Sequence, residues 1–596
     1  MKKYMYAKLL IALAIILTVT SCQKDWLTET NPNLISTDNF WRDTKDLQTG
    51  LTAVYKAFSS SQNHALIQEL ARTDLAWANG FQRPSNTNPY YLQIFTNAET
   101  PINNKWAANY TTIFRANQVI LAAEKIIPTL TVAADIELAN KILAQARFLR
   151  GFHYFNLYHS FNEGKLPIFE DVPVNEADFY KPLQTAETVK NFFLADLQYA
   201  VKNLPPTWTG KDKGRVTAGA AEALIGQTYL YENKFDVAAP YFKRVIENYG
   251  YKLMPNIGSN FTTMDELNDE SILEISYATG YTDNYNNYDW RDVASTAGLQ
   301  LQFTGVSGTY FGAVAANWLI KEYRNDPMDT QDERNYTIDK TTGNKRLRKF
   351  SQRTSWSVAL VDDIDMPYYL RAETGQAANF NVNMTCFWRK HTNWDLTRGE
   401  NILSPGKVRS GVNERLIRLG GIHLQYAECL IEMGQIDEAL VQINKVRRRS
   451  GLQLLGLVGT GEFPTNDHDN VSYTAETLKK HLRYKEYPLE LSAEGYGCER
   501  NVDLRRWGVK KQRFQELAAR RYYAQHFVVK DEITGNNVTR WQSIVTEVTP
   551  TDPLANPAWN EFQEAAKNYN EAAHAYFPLP NGEILTNPRL YENIVN

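Results

Sequence analysis

Residues 218–250 read AGAAEALIGQTYLYENKFDVAAPYFKRVIENYG, and this stretch decides the fold of the chain. Apolar residues recur in it at three- and four-residue steps, which is the spacing of two consecutive amphipathic helices. The small residues are Gly226 and Ala238, and the large ones are Tyr229 and Phe242. Gly250 follows the second helix. Because small residues let two helices approach closely, the stretch predicts a tight helical hairpin.

A second stretch repeats these offsets. Its matching positions are Ala427, Leu430, Gly434, Ala439, Ile443 and Gly451. Tetratricopeptide repeats place small and large residues in this way, so that each hairpin stacks on the next. We therefore predict an all-α fold, a tetratricopeptide-like helical-hairpin superhelix. The two clear units lie far apart in the chain, so we also expect long irregular loop insertions.

Other segments follow the same helical periodicity. The predicted helices cover residues 45–58, 106–127, 135–161, 188–204, 218–233, 236–248, 414–433, 437–450 and 475–491. Strand-like stretches are few, and the better candidates are residues 271–276 and the pair Ile544 and Val545. Polar, aromatic and Asn-rich tracts at about 77–104, 277–310, 325–412 and 452–472 interrupt the helices. Loops of such length in a compact domain tend to be functional.

The amino terminus has the features of an export signal. Three lysines (Lys2, Lys3 and Lys8) precede an uncharged aliphatic run over residues 9–19, which is too short to span a bilayer. The run leads into Val-Thr-Ser-Cys at residues 19–22, which resembles a bacterial lipobox. We expect residues 1–21 to be a signal peptide and 22–596 one lipid-anchored domain, with Cys22 as the acylated first residue. An ordinary signal peptide that happens to contain a cysteine is the alternative.

Composition excludes several classes of protein. The 596 residues carry 64 basic and 67 acidic side chains, a formal net charge of -3, so a nucleic-acid-binding surface lacks its usual positive charge. Four cysteines cannot form a disulfide-stapled scaffold, and Cys386, Cys429 and Cys498 are expected to be separate buried thiols. The nine histidines show no ligand-type clustering, so neither a metal site nor a cofactor is predicted.

Charged residues near the carboxyl terminus favour an ion network over a catalytic site. One group comprises Arg418, Glu494, Arg500, Asp503, Arg506 and Trp507. Glu486, Glu490 and Glu494 lie at four-residue steps and imitate a glycosidase carboxylate pair, but a solvated or ion-paired helix face is the simpler interpretation. The motifs HExxH, GxSxG, GxGxxG and the P-loop are absent from the sequence. We therefore expect no enzyme. Asp467 and Asp469 leave calcium binding open.

Several further segments carry a resemblance to one family. They are the lipobox, residues 38–41, the Arg- and aromatic-rich helix around Ala146 to Phe155, the turn over 166–173, Arg418 with residues 426–428, the group from Glu494 to Gly508, and residues 577–588. In this order they resemble the SusD/RagB nutrient-binding outer-membrane lipoproteins of Bacteroidetes, nearly end to end. Four residues separate Gly495 from Arg500 where the family commonly has one, which leaves open how Arg500 and Asp503 are placed.

The resemblance implies a protein on the outer face of the outer membrane that captures a nutrient and delivers it to a SusC-like TonB-dependent barrel transporter. The expected ligand is a glycan or oligosaccharide. A peptide-binding RagB-like member is one alternative. A repeat-type scaffold lipoprotein that binds only other proteins is another.

Two tracts have the residues that a glycan site needs. Sugars present apolar C–H faces and a rim of hydroxyl groups, so they are bound by aromatic rings together with amide or charged side chains. The candidate ligand-binding residues are Trp77, Asn79, Phe81, Arg83 and Tyr90 in the first tract, and Tyr281, Asn284, Tyr285, Tyr288 and Trp290 in the second. The alternative for any one of these rings is structural packing of a loop onto the helices.

Overall fold

The computed structural model describes residues 40–78, 87–277, 303, 304, 306, 312–377, 380–382, 384–399 and 410–592. The helices of these ranges are α1 (Thr44–Phe58), α2 (Leu66–Ala71), α3 (Thr100–Ile126), α4 (Ala133–Ser160), α5 (Ala186–Asn203), α6 (Ala218–Tyr231), α7 (Phe235–Asn248), α8 (Asn317–Arg324), α9 (Gln352–Ser357), α10 (Thr374–Ala377), α11 (Leu419–Glu432), α12 (Ile436–Arg449), α13 (Ala475–His481), α14 (Tyr487–Leu491), α15 (Glu499–Arg506), α16 (Lys510–Ala519), α17 (Gln563–Asn568), α18 (Glu571–His574) and α19 (Asn581–Thr586). The strands are β1 (Ala76–Trp77), β2 (Ser271–Ile275), β3 (Val314–Ala315), β4 (Tyr336–Ile338), β5 (Lys345–Leu347), β6 (Val358–Leu360), β7 (Cys386–Trp388), β8 (Glu414–Arg418), β9 (Arg521–Lys530) and β10 (Asn537–Val548). Among the helices of these ranges, none is both long enough and apolar enough to cross a membrane.

The hairpin of residues 218–250 forms as α6 and α7, and its glycine lies where the two helices touch. A Cβ atom on Gly226 would lie 2.9 Å from Cε1 of Phe242 and 3.1 Å from Cβ of Tyr241. A close-packed interface has no room for that atom, so the approach of α6 to α7 depends on glycine. Thr217 is the N-cap residue of helix α6, and its hydroxyl accepts a hydrogen bond from the amide of Ala220. The predicted hairpin is confirmed.

The helices form one continuous stack. From α3 to α7, each helix packs against the next one along the chain, and α11 then packs on α7 and pairs with α12. The two repeat units are therefore neighbours in space, although the residues between them fold elsewhere. The predicted superhelix of helical hairpins with irregular insertions is confirmed.

One predicted helix begins too early. Residues 414–418 form strand β8, which pairs antiparallel with β2 so that Ile275 lies opposite Glu414 and Ser271 opposite Arg418. All five side chains of β8 are buried, so the strand lacks the polar and apolar alternation that would distinguish it from a helical turn. The helix itself begins at Leu419. The strand predicted at 271–276 is confirmed as β2.

The longest strands form a separate hairpin. Strand β10 contains Ile544 and Val545, as predicted, and pairs antiparallel with β9, where Gln525 and Ala524 lie opposite them. Sequence reasoning missed β9. The predicted helix over 475–491 exists, but its middle turn, Leu482–Glu486, is a π turn. Such turns shift the side chains that follow them around the helix axis.

Candidate ligand-binding loops and the core that holds them

A two-stranded pairing joins the ends of the two aromatic tracts. Strands β1 and β3 are antiparallel, with Ala76 opposite Ala315 and Trp77 opposite Val314. The first tract follows β1 and the second precedes β3. In an antiparallel pair the residues after one strand and before the other lie at the same end. Ala78, which leads into the first tract, and Ala313, which follows the second, therefore lie at the same end of this strand pair.

The structure places only two of the ten candidate ligand-binding residues. Trp77 is 0% exposed and Tyr90 is 4% exposed. The ring of Tyr90 stacks on Phe95 with ring centroids 5.5 Å apart. Both side chains thus pack in the core, as the structural alternative has it, and neither offers an open ring face to a ligand. The other eight lie outside the described residues and stay a prediction: Asn79, Phe81, Arg83, Tyr281, Asn284, Tyr285, Tyr288 and Trp290.

A buried ion cluster fixes the chain just before the first tract. The carboxylate of Asp74 accepts hydrogen bonds from Nε and Nη2 of Arg500, both at 2.8 Å, and from Nε of Arg513 at 3.0 Å. Burial alone would raise the pKa of Asp74, but the two guanidinium groups outweigh burial and lower it to about 2. The backbone carbonyl of Asp74 also accepts a hydrogen bond from the indole of Trp318. This cluster holds the entry to the first tract against the carboxyl-terminal helices.

The start of the second tract is held by the strand pair β2 and β8. The amide of Tyr277 donates to Oδ1 of Asn413 at 2.8 Å, and its hydroxyl lies 3.3 Å from Oε2 of Glu414. Glu414 is 1% exposed, and burial raises its pKa to about 7, more than the hydrogen bond from Tyr277 lowers it. Tyr277, at the start of the second tract, is thus hydrogen-bonded to Asn413 and Glu414, beside and within the buried strand β8.

The end of the second tract packs against buried aromatic side chains. The ring of Phe303 stacks on His391 with centroids 5.4 Å apart and meets Trp388 edge-on at 6.4 Å. The hydroxyl of Tyr369 donates to Oγ1 of Thr304 at 2.9 Å. Binding residues in proteins often lie on loops positioned by a rigid scaffold, and both tracts have such fixed ends.

The three glutamates that imitate catalytic carboxylates lie in a buried ion cluster. Glu486, Glu490 and Glu494 are joined there by Asp326 and Glu270, and the five acids are matched by Arg353, Lys390, Arg418, Arg447 and Arg449. Burial alone would raise the pKa of Glu494, but Arg418 and Lys390 lower it. The predicted ion pairing is confirmed, but the predicted common helix face is not, because helix α14 ends at Leu491 and Glu494 lies beyond it. The partners in these ion pairs come from distant segments, while the sequence neighbours Arg483 and Lys485 pair with Glu432 and Glu322.

A second ion network surrounds Glu428. Arg506 donates to Oε2 of Glu428 at 2.5 Å and to Oδ1 of Asp503 at 2.9 Å. The indole of Trp507 donates to Oε1 of Glu428 at 2.8 Å. The predicted group near the carboxyl terminus is ion-paired, as expected, but it is not one network: Arg418 binds Glu494, Arg500 binds Asp74, and Arg506 and Trp507 bind Glu428. The placement of Arg500 and Asp503 is now clear, since they bind Asp74 and Arg506.

The two aspartates that hinted at calcium bind protein groups. Oδ2 of Asp467 accepts from the amide of Thr330 at 2.7 Å, and Oδ2 of Asp469 accepts from the hydroxyl of Tyr473 at 2.6 Å. In the part of the chain that the structure describes, no three His, Cys, Asp or Glu side chains gather as metal ligands do.

Sequence reasoning missed how the tracts are held. Asp74 lies just before the aromatic tract, where a carboxylate could equally bind a sugar, but it is an ion-pair partner of residues more than 400 positions away. Nothing in the local sequence distinguishes these roles. The one available signal was the carboxyl-terminal excess of arginines, which needs acids from elsewhere.

The described fold defines a class: a helical-repeat protein whose core contains buried clusters of ion pairs. The family model described as "SusD family" matches residues 269–595, and a second, described as "Starch-binding associating with outer membrane", matches residues 25–230. The chain belongs to the SusD family.

Individual proteins agree with this membership. A SusD-like protein of Bacteroides ovatus is 26% identical over 468 residues, which cover 76% of this chain and 77% of the relative. A SusD superfamily protein from Bacteroides vulgatus has a similar structure, with a TM-score of 0.65 and 21% identity over 92% of this chain and 98% of the other. A laminarin-binding SusD-like protein has a TM-score of 0.62 and 19% identity, covering 92% of this chain and 99% of the other.

Proposed function

We propose that this protein is a non-catalytic, cell-surface lipoprotein that captures a glycan and delivers it to a SusC-like TonB-dependent barrel transporter. The observation that supports the proposal most is the β1 and β3 pair of this SusD-family chain, because the residue after β1 and the residue before β3, which border the two aromatic, amide-rich tracts, lie at the same end of it. The laminarin-binding neighbour supports a saccharide as the ligand class.

The proposed site uses the loop residues and not the two buried rings. Trp77 and Tyr90 are buried in the core on either side of residues 79–86. The stacking rings would be Tyr281, Tyr285, Tyr288, Trp290 and Phe81. The amides of Asn79 and Asn284 and the guanidinium of Arg83 would bind the hydroxyl rim.

The state of the carboxylates supports binding without catalysis. A glycosidase needs one carboxylic acid and one carboxylate beside the scissile bond. Glu486, Glu490 and Glu494 are each 6% exposed or less at the side chain and are ion-paired to arginines or lysine. These three glutamates therefore have a structural role and are not accessible to a substrate.

Membrane attachment would come from Cys22. Each buried methylene of an acyl chain contributes about 0.8 kcal/mol, so several chains on one residue anchor firmly. The second family model's description, which names association with the outer membrane, supports this location. We expect mass spectrometry of the protein from its native membrane to find acylated Cys22 as the first residue. An uncut leader would contradict the anchor.

The loop site is tested by removing three rings together. The variant Tyr285→Ala/Tyr288→Ala/Trp290→Ala should lose binding to the glycan that the wild type selects from a glycan and peptide array. The matched control is Trp541→Ala, which removes a 62% exposed ring on β10. Binding to peptides alone would favour the RagB-like alternative, and unchanged glycan binding by the triple variant would overturn the loop site.

A further inference from the structure

A concave site lies between α3, the turn of residues 167–180 and the carboxyl-terminal helix α19. It has a volume of about 280 Å³ and shares no lining residue with either tract. Its aromatic lining consists of Trp106, Tyr110, Phe114, Phe169, Phe179 and Tyr180. Three of these rings come from α3 at four-residue steps, so they lie on one face of the helix.

Hydrogen bonds tie α3 to the turn. The hydroxyl of Tyr110 donates to the carbonyl of Pro167 at 2.8 Å. The side-chain amide of Asn117 donates to the carbonyl oxygens of Phe169 at 2.8 Å and Asp171 at 3.2 Å. Asn117 is itself fixed, because its oxygen accepts a hydrogen bond from Arg150 at 2.9 Å. Two walls of the pocket are thus held in place before any ligand arrives.

The third wall is tied to the turn in the same way. The side-chain amide of Asn587 donates to the carbonyl of Lys181 and to Oε1 of Glu583, both at 2.9 Å. The pocket is therefore preformed, and a ligand would not have to supply the free energy needed to order it.

The lining matches one class of small ligand. Phe179, at the mouth of the pocket, is 52% exposed, so part of its ring is free to contact a ligand. Asp171, Glu583 and Thr586 also line the pocket. One carboxylate oxygen of Asp171 accepts from Lys181 at 2.8 Å and one of Glu583 accepts from Asn587 at 2.9 Å, so each carboxylate has a second oxygen for a ligand hydroxyl. Rings that stack on C–H faces, next to acceptors for hydroxyl groups, suit a pyranose.

Packing alone does not account for the pocket. Aromatic rings that only seal a carboxyl-terminal segment onto helices would close the space between them, because protein interiors are densely packed. Here the rings surround an open volume that suits a small ligand. We propose that this pocket is a second saccharide-binding site, which takes one or two pyranose rings of a neutral glycan independently of the two loop tracts.

The test isolates the pocket by working in the Tyr285→Ala/Tyr288→Ala/Trp290→Ala background. Saturation-transfer NMR would measure binding of four probes: maltohexaose, laminarihexaose, xylohexaose and mannohexaose. At least one should still bind weakly. Adding Phe169→Ala and Phe179→Ala should weaken that binding by roughly fivefold or more, since each stacked ring contributes about 0.5–1.5 kcal/mol.

Two further variants make the outcome specific. Thr586→Trp places bulk at the mouth from an exposed position and should also abolish binding, without removing any core contact. Trp541→Ala should leave binding unchanged. The pocket proposal is overturned if none of the four probes binds the triple variant, or if binding survives both the double Phe change and Thr586→Trp. Failure of the loop-site proposal would give a different result. If the loop rings do not bind glycan, the triple variant would bind the probes as tightly as the wild type does.

Discussion

Asp74 and Arg500 lie 426 positions apart and form a two-pronged ion pair in the protein interior, with Oδ1 to Nε and Oδ2 to Nη2 distances of 2.8 Å. Arg513 binds the same carboxylate at 3.0 Å. The pair joins the residue just before β1 to helix α15. It therefore couples the position of the first ligand-binding tract to the integrity of the carboxyl-terminal helices.

Asp74→Ala should destabilise the protein by about 3–5 kcal/mol, because it leaves two buried guanidinium groups without their acid. Urea denaturation at pH 7 measures the free energy of unfolding. The control is Asp265→Ala, which removes an exposed aspartate. The pKa of Asp74 in the fold, about 2, lies below its ordinary 3.8, so the contribution is present above pH 4 and is lost as the pH falls toward 2. An equal effect of both substitutions would contradict the role of the pair.

Gly226→Ala should lower the free energy of unfolding by about 1–3 kcal/mol, since the added methyl would overlap Phe242 at the contact of α6 and α7. Gly582→Ala is a matched control on helix α19, where the nearest atom to the new Cβ is 3.7 Å away. That control should be neutral or slightly stabilising. Thermal unfolding of both variants measures the difference in stability. An unchanged stability of Gly226→Ala would mean that the hairpin does not depend on the close approach of α6 and α7.

Glu414→Gln should stabilise the protein at pH 8 and have less effect at pH 4.5. The folded-state pKa of Glu414, about 7, lies above the ordinary value of 4.5, so wild-type stability falls as the pH rises from 4.5 to 7. The amide cannot ionise, and the gain at pH 8 relative to pH 4.5 is at most roughly 3 kcal/mol. The measurement is the free energy of unfolding of variant and wild type at both pH values. If the two proteins differ in this free energy by the same amount at pH 4.5 and pH 8, the raised pKa of Glu414 is refuted.

Cys386, Cys429 and Cys498 should not react with a thiol reagent in the native protein. All three are buried free thiols, as predicted, and burial raises the pKa of Cys386 and Cys498 to about 12 and that of Cys429 as well. Ellman's reagent should therefore titrate these thiols only after denaturation. Fast reaction of any of them in the folded protein would show that its site opens.

The sequence was sufficient for features that depend on local periodicity. The glycine and aromatic offsets around Gly226 predicted the hairpin, and the spacing over residues 45–58 predicted α1, which covers Thr44–Phe58. It was not sufficient for β8, because a short strand buried on both faces has no alternation, or for β9, whose pairing with β10 is a tertiary feature.

The site divides in the same way. The choice of residue types predicts the two tracts, and the pairing of Trp77 with Val314 places the described residues that border them side by side. That Trp77 and Tyr90 would point inward could not be predicted, since an aromatic residue at a loop end serves packing and binding equally well. The partners of Asp74 and Glu490 were equally hidden, because ion pairing across hundreds of residues leaves no local pattern.

Hydrogen exchange followed by mass spectrometry tests the central claim most directly. The protein without residues 1–22 would be compared with and without the glycan that it selects from an array. Our account predicts slower exchange of peptides from both tracts, residues 77–91 and 278–311, when the glycan is bound. Exchange that slows in neither tract, at glycan concentrations where binding is saturated, would contradict the account.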